Sequence, residues 1–426
     1  MKYTEMNRAQ LLEEKATVAA EYEGFQDQNL SLDLSRGKPC AEQLDLSLGL
    51  LSRQRTVADC RAHDGTDCRN YGLAFGLPEM KKIWSDLTGV DYDMIIVGGN
   101  SSLNMMYDTI VRAMLYGVYG SKQPWCREKT LKFLCPAPGY DRHFAICESL
   151  GIEMITVNMT ETGPDMDAVE KLAAADPAIK GIWCVPKYSN PTGITYSDDT
   201  VRRLAAMETA APDFRIFWDN AYIVHDLYDE SDPLLDIFEE AKHAGNEDRI
   251  FYFTSSSKVT FPGSGVAMMA ASRRNLSQIK PIINVQTIGP DKMNQLRHVE
   301  FLRDREGFLA QMKKHGEILR RKFTIVLDAL SALDGLGIAE WTRPHGGYFI
   351  SFDAMDGCAH RIYDLCLEAG VKLTDAGATF PYGIDPRDRN LRLAPSYPTD
   401  EELAQAIGVF VTAVKLASIE KLLLNI

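Results

Sequence analysis

The sequence lacks the features that mark a membrane or secreted protein. No apolar stretch approaches the roughly 18 residues that a membrane span needs. The N-terminus mixes acidic with apolar side chains and has no apolar core, unlike a signal peptide. None of the nine cysteines forms a C-x-x-C pair, a common metal or redox signature. We therefore expect a cytoplasmic protein with reduced thiols and no metal site.

Basic patches and nucleotide motifs are also missing. Lys and Arg number 46 against 59 Asp and Glu, the net charge is −13, and no Lys/Arg-rich run occurs. These properties disfavour nucleic acid or an anionic membrane as a partner. Neither G-x-x-x-x-G-K-[ST] nor G-x-G-x-x-G is present, which disfavours a nucleoside triphosphate or a dinucleotide. With 426 residues, the chain is longer than one hydrophobic core usually grows, so we expect two domains.

Short apolar runs alternate with helix-period segments through the middle of the chain. The runs are 94–99, 131–135, 152–157, 181–186, 215–219, 250–255 and 266–271. Their continuous hydrophobicity predicts strands covered on both faces, in a mostly parallel seven-stranded α/β sheet with helices on both sides. After about residue 293, long helices and short strands predict a smaller α+β domain. We place the large domain at 46–300 and the small domain at 1–45 with 301–426.

Ligands of open α/β sheets bind beyond the carboxyl ends of the strands, so residues there are the first candidates. The first run is followed by GGNSSL (98–103), which can hold a phosphate at a helix N-terminus or simply cap the helix. The second run is followed by PAPGYDRH (136–143), where Tyr140 can stack on a flat ligand or pack on the rim. The fourth run is followed by KYSNPTG (187–193), which is ordinary turn chemistry when taken alone.

Two charged residues follow the later apolar strands. Asp219 in WDNAY must be paired or hydrogen-bonded, because burying a bare carboxylate is too costly. Lys258 in FYFTSSSKVTFPGSG can be a surface lysine or a nucleophile that forms Schiff bases. Ser255 also gives the S-x-x-K of serine acyl-enzymes, but the S-D-N and K-T-G elements of that class are absent. A lysine, a carboxylate, a stacking ring and a phosphate cradle together predict pyridoxal phosphate (PLP).

The ordered motifs GGNSS, PxPGY, NPTG, DNAY, SSSK and NLRLA resemble the fold type I PLP enzymes, and within them the class I aminotransferases. The blocks SLDLSRGKP, YGLAFGLPEMKKIW and SSSKVTFPGSGVAMM are similar to a divergent bacterial branch of aspartate aminotransferases, subgroup Ic. The resemblance spans about residues 30 to 400. It implies ping-pong transamination between aspartate and 2-oxoglutarate, with PLP as cofactor, in a homodimer with shared active sites.

The resemblance also implies a role for each matching residue. Lys258 would form the internal aldimine with PLP and move the proton between the substrate α-carbon and the cofactor. Asp219 would keep the ring nitrogen protonated, and Tyr140 would stack on the ring. Asn190 and Tyr222 would hydrogen-bond the phenolic oxygen, which tunes the acidity of the aldimine.

Phosphate and substrate contacts follow from the same resemblance. Tyr71 would reach the phosphate in the other subunit of the dimer. Arg392 would bind the substrate α-carboxylate as a planar fork, and Gly37 matches the loop that closes over the substrate. The remaining phosphate-binding residues would be Asn100, Ser101, Ser102 and Ser255.

Two departures from the family pattern leave alternatives open. The run PGSGVA lacks the arginine that most class I enzymes place after the lysine to bind phosphate, and Ser264 is one possible substitute. The cation for a distal carboxylate has several candidates: Arg36, Lys38, Lys292 and Arg297. An aromatic or alanine aminotransferase and a PLP lyase or decarboxylase therefore remain alternatives. An aminotransferase-like, PLP-sensing transcriptional regulator is disfavoured, because only about 30 residues precede the motif series.

Overall fold

The computed structural model describes residues 1–424. Its α-helices are α1 Arg8–Gln26, α2 Ala41–Asp45, α3 Pro78–Thr88, α4 Ser102–Tyr116, α5 Asp141–Ser149, α6 Met166–Ala175, α7 Asp198–Ala206, α8 Ile237–His243, α9 Arg273–Gln286, α10 Lys292–Leu302, α11 Arg305–Leu330, α12 Ala359–Glu368 and α13 Asp400–Leu423. Its strands are β1 Leu32–Asp33, β2 Ile95–Val97, β3 Lys132–Ala137, β4 Glu153–Thr160, β5 Gly163–Pro164, β6 Ile179–Cys184, β7 Arg215–Asp219, β8 Ile250–Ser255, β9 Ala267–Ala271, β10 Ala339–Trp341, β11 Ile350–Ala354, β12 Val371–Lys372 and β13 Asn390–Leu393.

The largest sheet has the strand order β2-β9-β8-β7-β6-β3-β4-β5. The pairings β4–β3, β3–β6, β6–β7 and β7–β8 are parallel, which confirms the predicted α/β class. Each of the seven predicted runs forms a strand. The two-residue β5 adds an eighth, which is too short to leave a hydrophobic pattern. Because β9 is antiparallel to both β8 and β2, β2 runs in the same direction as the parallel strands.

The apolar runs of this sheet are continuous because hydrophobic cores lie on both of its faces. All five residues of β7 are buried. Ile216 and Trp218 belong to the core on one face, whereas Phe217 belongs to the core on the other. Successive side chains of a strand point to opposite faces, so a strand with two buried faces needs an apolar residue at every position.

A third hydrophobic core joins the two ends of the chain. It contains α1, the second half of α11, α12, α13 and the antiparallel sheet β10-β11-β13, and β1 pairs in parallel with β12. A capping box formed by Thr399 and Glu402 begins α13. The long helix α11 bridges two cores, since Phe308 and Met312 pack beneath the large sheet while Phe323 packs in the third core.

No helix within residues 1–424 is both long and apolar enough to cross a membrane. The nine cysteine thiols are all free, and most of them are buried.

His298 is an uncharged histidine that ties α10 to the segment after Lys258. Its Nδ1 lies 2.8 Å from the carbonyl oxygen of Asn294, and its Nε2 lies 2.8 Å from Oγ1 of Thr260. A carbonyl oxygen only accepts, so Nδ1 donates and Nε2 accepts from the threonine hydroxyl. Burial of the ring lowers the pKa of His298 to about 4.

We expect this histidine to weaken the fold in acid. The unfolded chain binds a proton near pH 6.5, whereas the folded chain does not until about pH 4. Stability is therefore lost as the pH falls from 6.5 towards 4, by about 2 kcal/mol between pH 7 and pH 5 for this one group. Urea unfolding of His298→Gln should show a fall between pH 7 and pH 5 that is smaller by that amount. His243→Gln, at an exposed position, serves as the control and should keep the parent's pH dependence. An undiminished acid loss in His298→Gln would contradict the assignment.

Candidate active site

The carboxyl ends of β3, β6, β7 and β8 meet at one edge of the large sheet, because these strands are parallel neighbours. Asp219 is the last residue of β7, and the segments carrying Tyr140, Asn190 and Lys258 follow the ends of the other three strands. The direction of β2 brings the start of α4 to the same edge. Segments that are distant in sequence thus converge on one place, at the edge of the sheet where ligands of such sheets bind.

A cavity of about 160 Å³ lies at this edge. It joins most of the predicted cofactor residues, whereas Asn100, Tyr71, Gly37 and Arg392 lie outside its lining. The residues that line it are Ser101, Ser102, Leu103, Met106, Tyr140, Val185, Asn190, Asp219, Ala221, Tyr222, Ser255, Ser257 and Lys258.

Lys258 follows β8, and its amine lies over two neighbouring aromatic rings. The Nζ atom is 5.1 Å from the centre of the Tyr222 ring and 5.8 Å from that of Tyr348. Burial lowers the pKa of Lys258, the nearby Asp219 carboxylate opposes this shift, and the Arg392 guanidinium adds to it. A lowered pKa enlarges the fraction of neutral amine, which is the form that attacks a carbonyl.

Asp219 is buried with only one of its two oxygens satisfied. Its Oδ2 lies 2.9 Å from Nε2 of His143, and its Oδ1 has no hydrogen-bond partner among residues 1–424. The His143 ring stacks on Trp183, with ring centres 4.2 Å apart and planes at 8°. An unsatisfied buried carboxylate oxygen is costly, so Oδ1 suits a donor supplied by a ligand.

The sequence reading overlooked His143, although the signal for it was available. His143 lies three residues after Tyr140, in the first turn of α5. Residues three apart on a helix share a face, and the two rings meet edge to face at 4.9 Å. A histidine three residues after a predicted stacking ring is therefore expected to lie beside the same ligand.

The hydroxyl-rich side of the cavity combines the start of α4 with the end of β8. Ser101 caps α4, because its Oγ accepts a hydrogen bond from the backbone N–H of Asn104. The Ser255 hydroxyl donates to Ser257 Oγ at 3.1 Å, and Ser257 Oγ donates to the Asn100 carbonyl at 2.8 Å. A helix N-terminus surrounded by hydroxyl groups suits a phosphate.

Asn100 and Ser264, both candidates for binding the phosphate, lie outside the cavity lining. The Asn100 side-chain amide donates to the carbonyls of Pro262 and Gly263, so it braces that loop instead of lining the cavity. Ser264 is also outside the lining, and its carbonyl accepts from Asn294. Apart from Lys258, the lining set contains no cation. The cradle therefore relies on neutral donors and the helix end.

Arg392 on β13 lies next to this cavity, held by three side chains. Its Nη1 donates to Asp141 Oδ1 at 2.8 Å and to Asn190 Oδ1 at 3.3 Å, and its Nη2 donates to Thr374 Oγ1 at 3.4 Å. Its guanidinium lies over the Phe349 ring, 4.9 Å from the ring centre.

Gly37 packs against the outer edge of the same Phe349 ring. A Cβ at Gly37 would come within 2.2 Å of Phe349 Cζ, so only glycine lets this chain segment pass over the ring. Arg392 and Gly37, both predicted as substrate residues, are thus joined through Phe349.

Tyr71 lies away from the Lys258 cavity. Its side chain is 81% exposed and lines a separate groove with residues 287–293. The candidate cations for a distal carboxylate are outside the cavity lining as well. The Lys292 Nζ donates to the Gly72 carbonyl, Arg297 Nε donates to Gln54, and Lys38 lies over the Tyr397 ring.

Comparison with known proteins identifies the family to which this chain belongs. The family model described as Aspartate amino-transferase matches residues 6–425. An aspartate aminotransferase of Corynebacterium glutamicum is 48% identical over 95% of this chain and 93% of its own length. The chain belongs to the aspartate aminotransferase family. It is accordingly a PLP-dependent aminotransferase of the class I, fold type I group.

Solved structures agree with the family assignment. The crystal structure of an aspartate transaminase from Corynebacterium glutamicum superposes with a TM-score of 0.96 at 45% identity, covering 99% of both chains. An α-aminoadipate aminotransferase of Thermus thermophilus, complexed with N-(5′-phosphopyridoxyl)-L-leucine, gives a TM-score of 0.74 at 22% identity over 94% of this chain and 96% of its own. The second comparison supports the fold.

The residues of the cavity fit the cofactor of the family. The open Oδ1 of Asp219 can accept a hydrogen bond from a protonated ring nitrogen. Tyr140 offers an aromatic face, and the serine hydroxyls at the start of α4 offer donors to a phosphate. Lys258 is the only amine in the lining. Each part of PLP thus has a complementary group in one cavity.

Asp219→Asn tests the fit at the ring nitrogen. A neutral amide is close to the carboxylate in size but cannot hold a positive charge on the ring, so we expect stoichiometric PLP and turnover reduced about 10²- to 10³-fold. Cofactor content is measured by absorbance after alkaline release, and turnover by initial rates. Asp91→Asn, which loses a surface ion pair with Arg273, should match the parent in both. Near-parent turnover of Asp219→Asn with full cofactor would contradict the role.

Proposed function

We propose that the enzyme transfers the amino group of aspartate to 2-oxoglutarate by a ping-pong mechanism. The observation that carries the proposal is that buried Asp219, which has one oxygen without a partner, lines the same cavity as Lys258, with Arg392 adjoining. Aspartate as the donor is supported by the 48% identity to a protein named aspartate aminotransferase.

PLP, when bound, supplies a carbonyl for amines and a ring that withdraws electrons from the substrate α-carbon. Lys258 contributes a base, and burial lowers the pKa of its amine, which increases the fraction of the neutral form. Its Nζ would take the proton from the α-carbon of the amino acid and pass it to the cofactor side of the bond between them. The aromatic rings of Tyr222 and Tyr348 limit the positions that this amine can reach.

Tyr222 and Asn190 would supply hydrogen-bond donors on one side of the ring. Burial raises the pKa of Tyr222 well above its usual value, so its hydroxyl keeps the proton and can donate it. Asn190 is buried, and its Oδ1 already accepts from Arg392, so its Nδ2 remains to donate into the cavity. Asp219 would hold the proton at the ring nitrogen, with His143 fixing the carboxylate.

Arg392 would bind the α-carboxylate of both substrates. An amino acid and its oxo acid share this group, so one guanidinium serves both halves of the cycle. A planar fork matches a carboxylate better than a point charge does. Phe349 below the guanidinium and Gly37 beyond it keep the fork in place.

The first experiment identifies the substrates by measuring the visible absorbance of the purified holoenzyme as each candidate is added. We expect L-aspartate alone to bleach the band of lysine-bound PLP and 2-oxoglutarate to restore it, because the amino group is stored on the cofactor between the two half-reactions. A band that ignores aspartate but answers to phenylalanine or alanine would assign the enzyme to other donors. Release of ammonia or carbon dioxide without recovery of the band would indicate a lyase or a decarboxylase.

Lys258→Ala is expected to lose both the visible band and turnover, because no other amine lines the cavity. Far-UV circular dichroism should match the parent, since the side chain is not part of a hydrophobic core. Lys242→Ala, at an exposed site on α8, is the matched control and should retain band and activity. Near-normal transamination by Lys258→Ala would contradict the central assignment.

We also propose a homodimer in which each subunit completes the other's site. Tyr71 and Ile288 line one groove with 81% and 62% of their surfaces exposed, and Val285 on α9 is 89% exposed. Exposed apolar groups of this size are typical of a protein–protein interface. In this arrangement the groove faces a second copy, and Tyr71 reaches the phosphate of the partner.

Mixed dimers test this sharing of the active site. Tyr71→Ala and Lys258→Ala should each have little activity alone. Subunits unfolded together and refolded at equal amounts form hybrids with one intact site, so activity should rise to about a quarter of the parent value for a two-fold dimer. Activity of the mixture no higher than the average of the separate variants would argue against shared sites.

A domain division completes the proposal. Residues 46–300 would form the cofactor-binding unit, and residues 1–45 with 301–426 the unit that closes over the substrate. The pairing of β1 with β12 and the packing of α1 on α13 support the joining of the two chain ends. The first turns of α11 pack with the large sheet, so the closing motion would bend or pivot within that helix.

A further inference from the structure

Asp141 is a charged residue beside the substrate site to which the proposed mechanism gives no task. It is the first residue of α5, directly after Tyr140. Its Oδ1 lies 2.8 Å from Nη1 of Arg392, and the two side chains are 31% and 8% exposed. A carboxylate thus already occupies the guanidinium assigned to the substrate carboxylate.

The donors of Arg392 show what this ion pair leaves available. Both N–H groups of Nη1 are engaged, by Asp141 and by Asn190, and Nη2 contacts Thr374. Nε is buried and has no partner among the described residues. A carboxylate that binds Nη1 and Nη2 together must therefore take the position that Asp141 or Asn190 now holds on Nη1.

Burial determines which partner can move. Arg392 is enclosed by Phe349 and its polar neighbours, and a buried guanidinium without a counter-charge is strongly disfavoured. Asp141 keeps about a third of its side chain in solvent, so its carboxylate can be rehydrated when it leaves. Two carboxylates on one nitrogen also repel each other. Exchange of one carboxylate for another keeps Arg392 paired throughout.

We propose that Asp141 is the resident counter-ion of Arg392 and is displaced by the α-carboxylate of each substrate. This inference rests on the proposed function of Arg392. Asp141 is a positioning residue: it holds the guanidinium ready in the empty site and competes with every ligand that carries a carboxylate. It therefore sets the affinity for amino acid and oxo acid alike.

The test is the binding of succinate, an unreactive dicarboxylate, to the PLP-loaded enzyme by calorimetry. Asp141→Asn keeps the shape of the side chain and removes its charge. We expect the Kd for succinate to fall about three- to tenfold, somewhat more than an exposed ion pair would give, because this pair is mostly buried. The KM values for aspartate and 2-oxoglutarate should fall by the same factor, with kcat within about threefold of the parent.

Asp167→Asn is the matched control, because it also removes a carboxylate paired with an arginine, Arg203, at the surface. It has the same effect on net charge and should leave succinate binding unchanged. An unchanged or raised Kd in Asp141→Asn would overturn the inference, since Asp141 would then stay bound and merely orient Arg392. Circular dichroism and PLP content of Asp141→Asn show whether the variant is folded, and Asp141→Ser offers a second uncharged side chain with the same expected gain in affinity.

Arg392→Lys separates this inference from the proposed function. If Arg392→Lys leaves succinate affinity unchanged, the carboxylate site itself is misassigned and both statements fail. If Arg392→Lys weakens succinate binding at least tenfold while Asp141→Asn does not strengthen it, the carboxylate site stands and only the displacement by substrate is wrong.

Discussion

Asp219 and Arg392 are both buried beside the same cavity, with 3% and 7% of their surfaces exposed. An ion in such surroundings must be paired, because its desolvation costs several kcal/mol. Each is held by a residue from the first turn of α5: His143 contacts Asp219, and Asp141 contacts Arg392. Nine residues of helix thus supply the partner of a carboxylate on the large sheet and of a guanidinium on the small one.

The position of α5 is fixed by aromatic packing and by the strand before it. Trp183 on β6 lies flat against the His143 ring, and its Nε1 donates to Cys147, one turn further along α5. This places the helix relative to the sheet before any ligand is considered. The small sheet then meets the large one at Arg392, through Asp141 and Asn190. The contacts of Arg392 are polar, whereas Val185 and Tyr222 close by pack in the third hydrophobic core.

Much of the fold could be predicted because buried parallel strands have a simple pattern. Each of the seven apolar runs became a strand, since a strand covered on both faces needs apolar residues throughout. The strands β5 and β1 have two residues each, too few to show a hydrophobic pattern. They are defined by their pairing with β4 and β12. The predicted residues that line the cavity all end a strand, follow one or begin a helix, so the topology of the sheet determines the edge at which they lie.

Other parts of the site depend on packing that a motif does not encode. Asn100 belongs to the GGNSS motif, yet its amide bonds to a loop 162 residues away in sequence. Asp141 and His143 lay within a quoted motif, but their roles depend on which side chains face α5 from other elements. Tyr71 lies away from the Lys258 cavity of its own chain, so the phosphate contact expected of it requires a second chain. Sequence therefore indicated the chemistry of the site better than it indicated which neighbours hold each group.

The antiparallel strand β9 also has a consequence for the order of assembly. The serines that follow β2 and those that follow β8 become neighbours only when β9 lies between these strands. β9 comes after both of them in the chain, so neither half of the hydroxyl cradle has its counterpart until this hairpin partner is inserted. A chain that holds a phosphate between these two groups of serines has therefore already paired β9 with both β2 and β8.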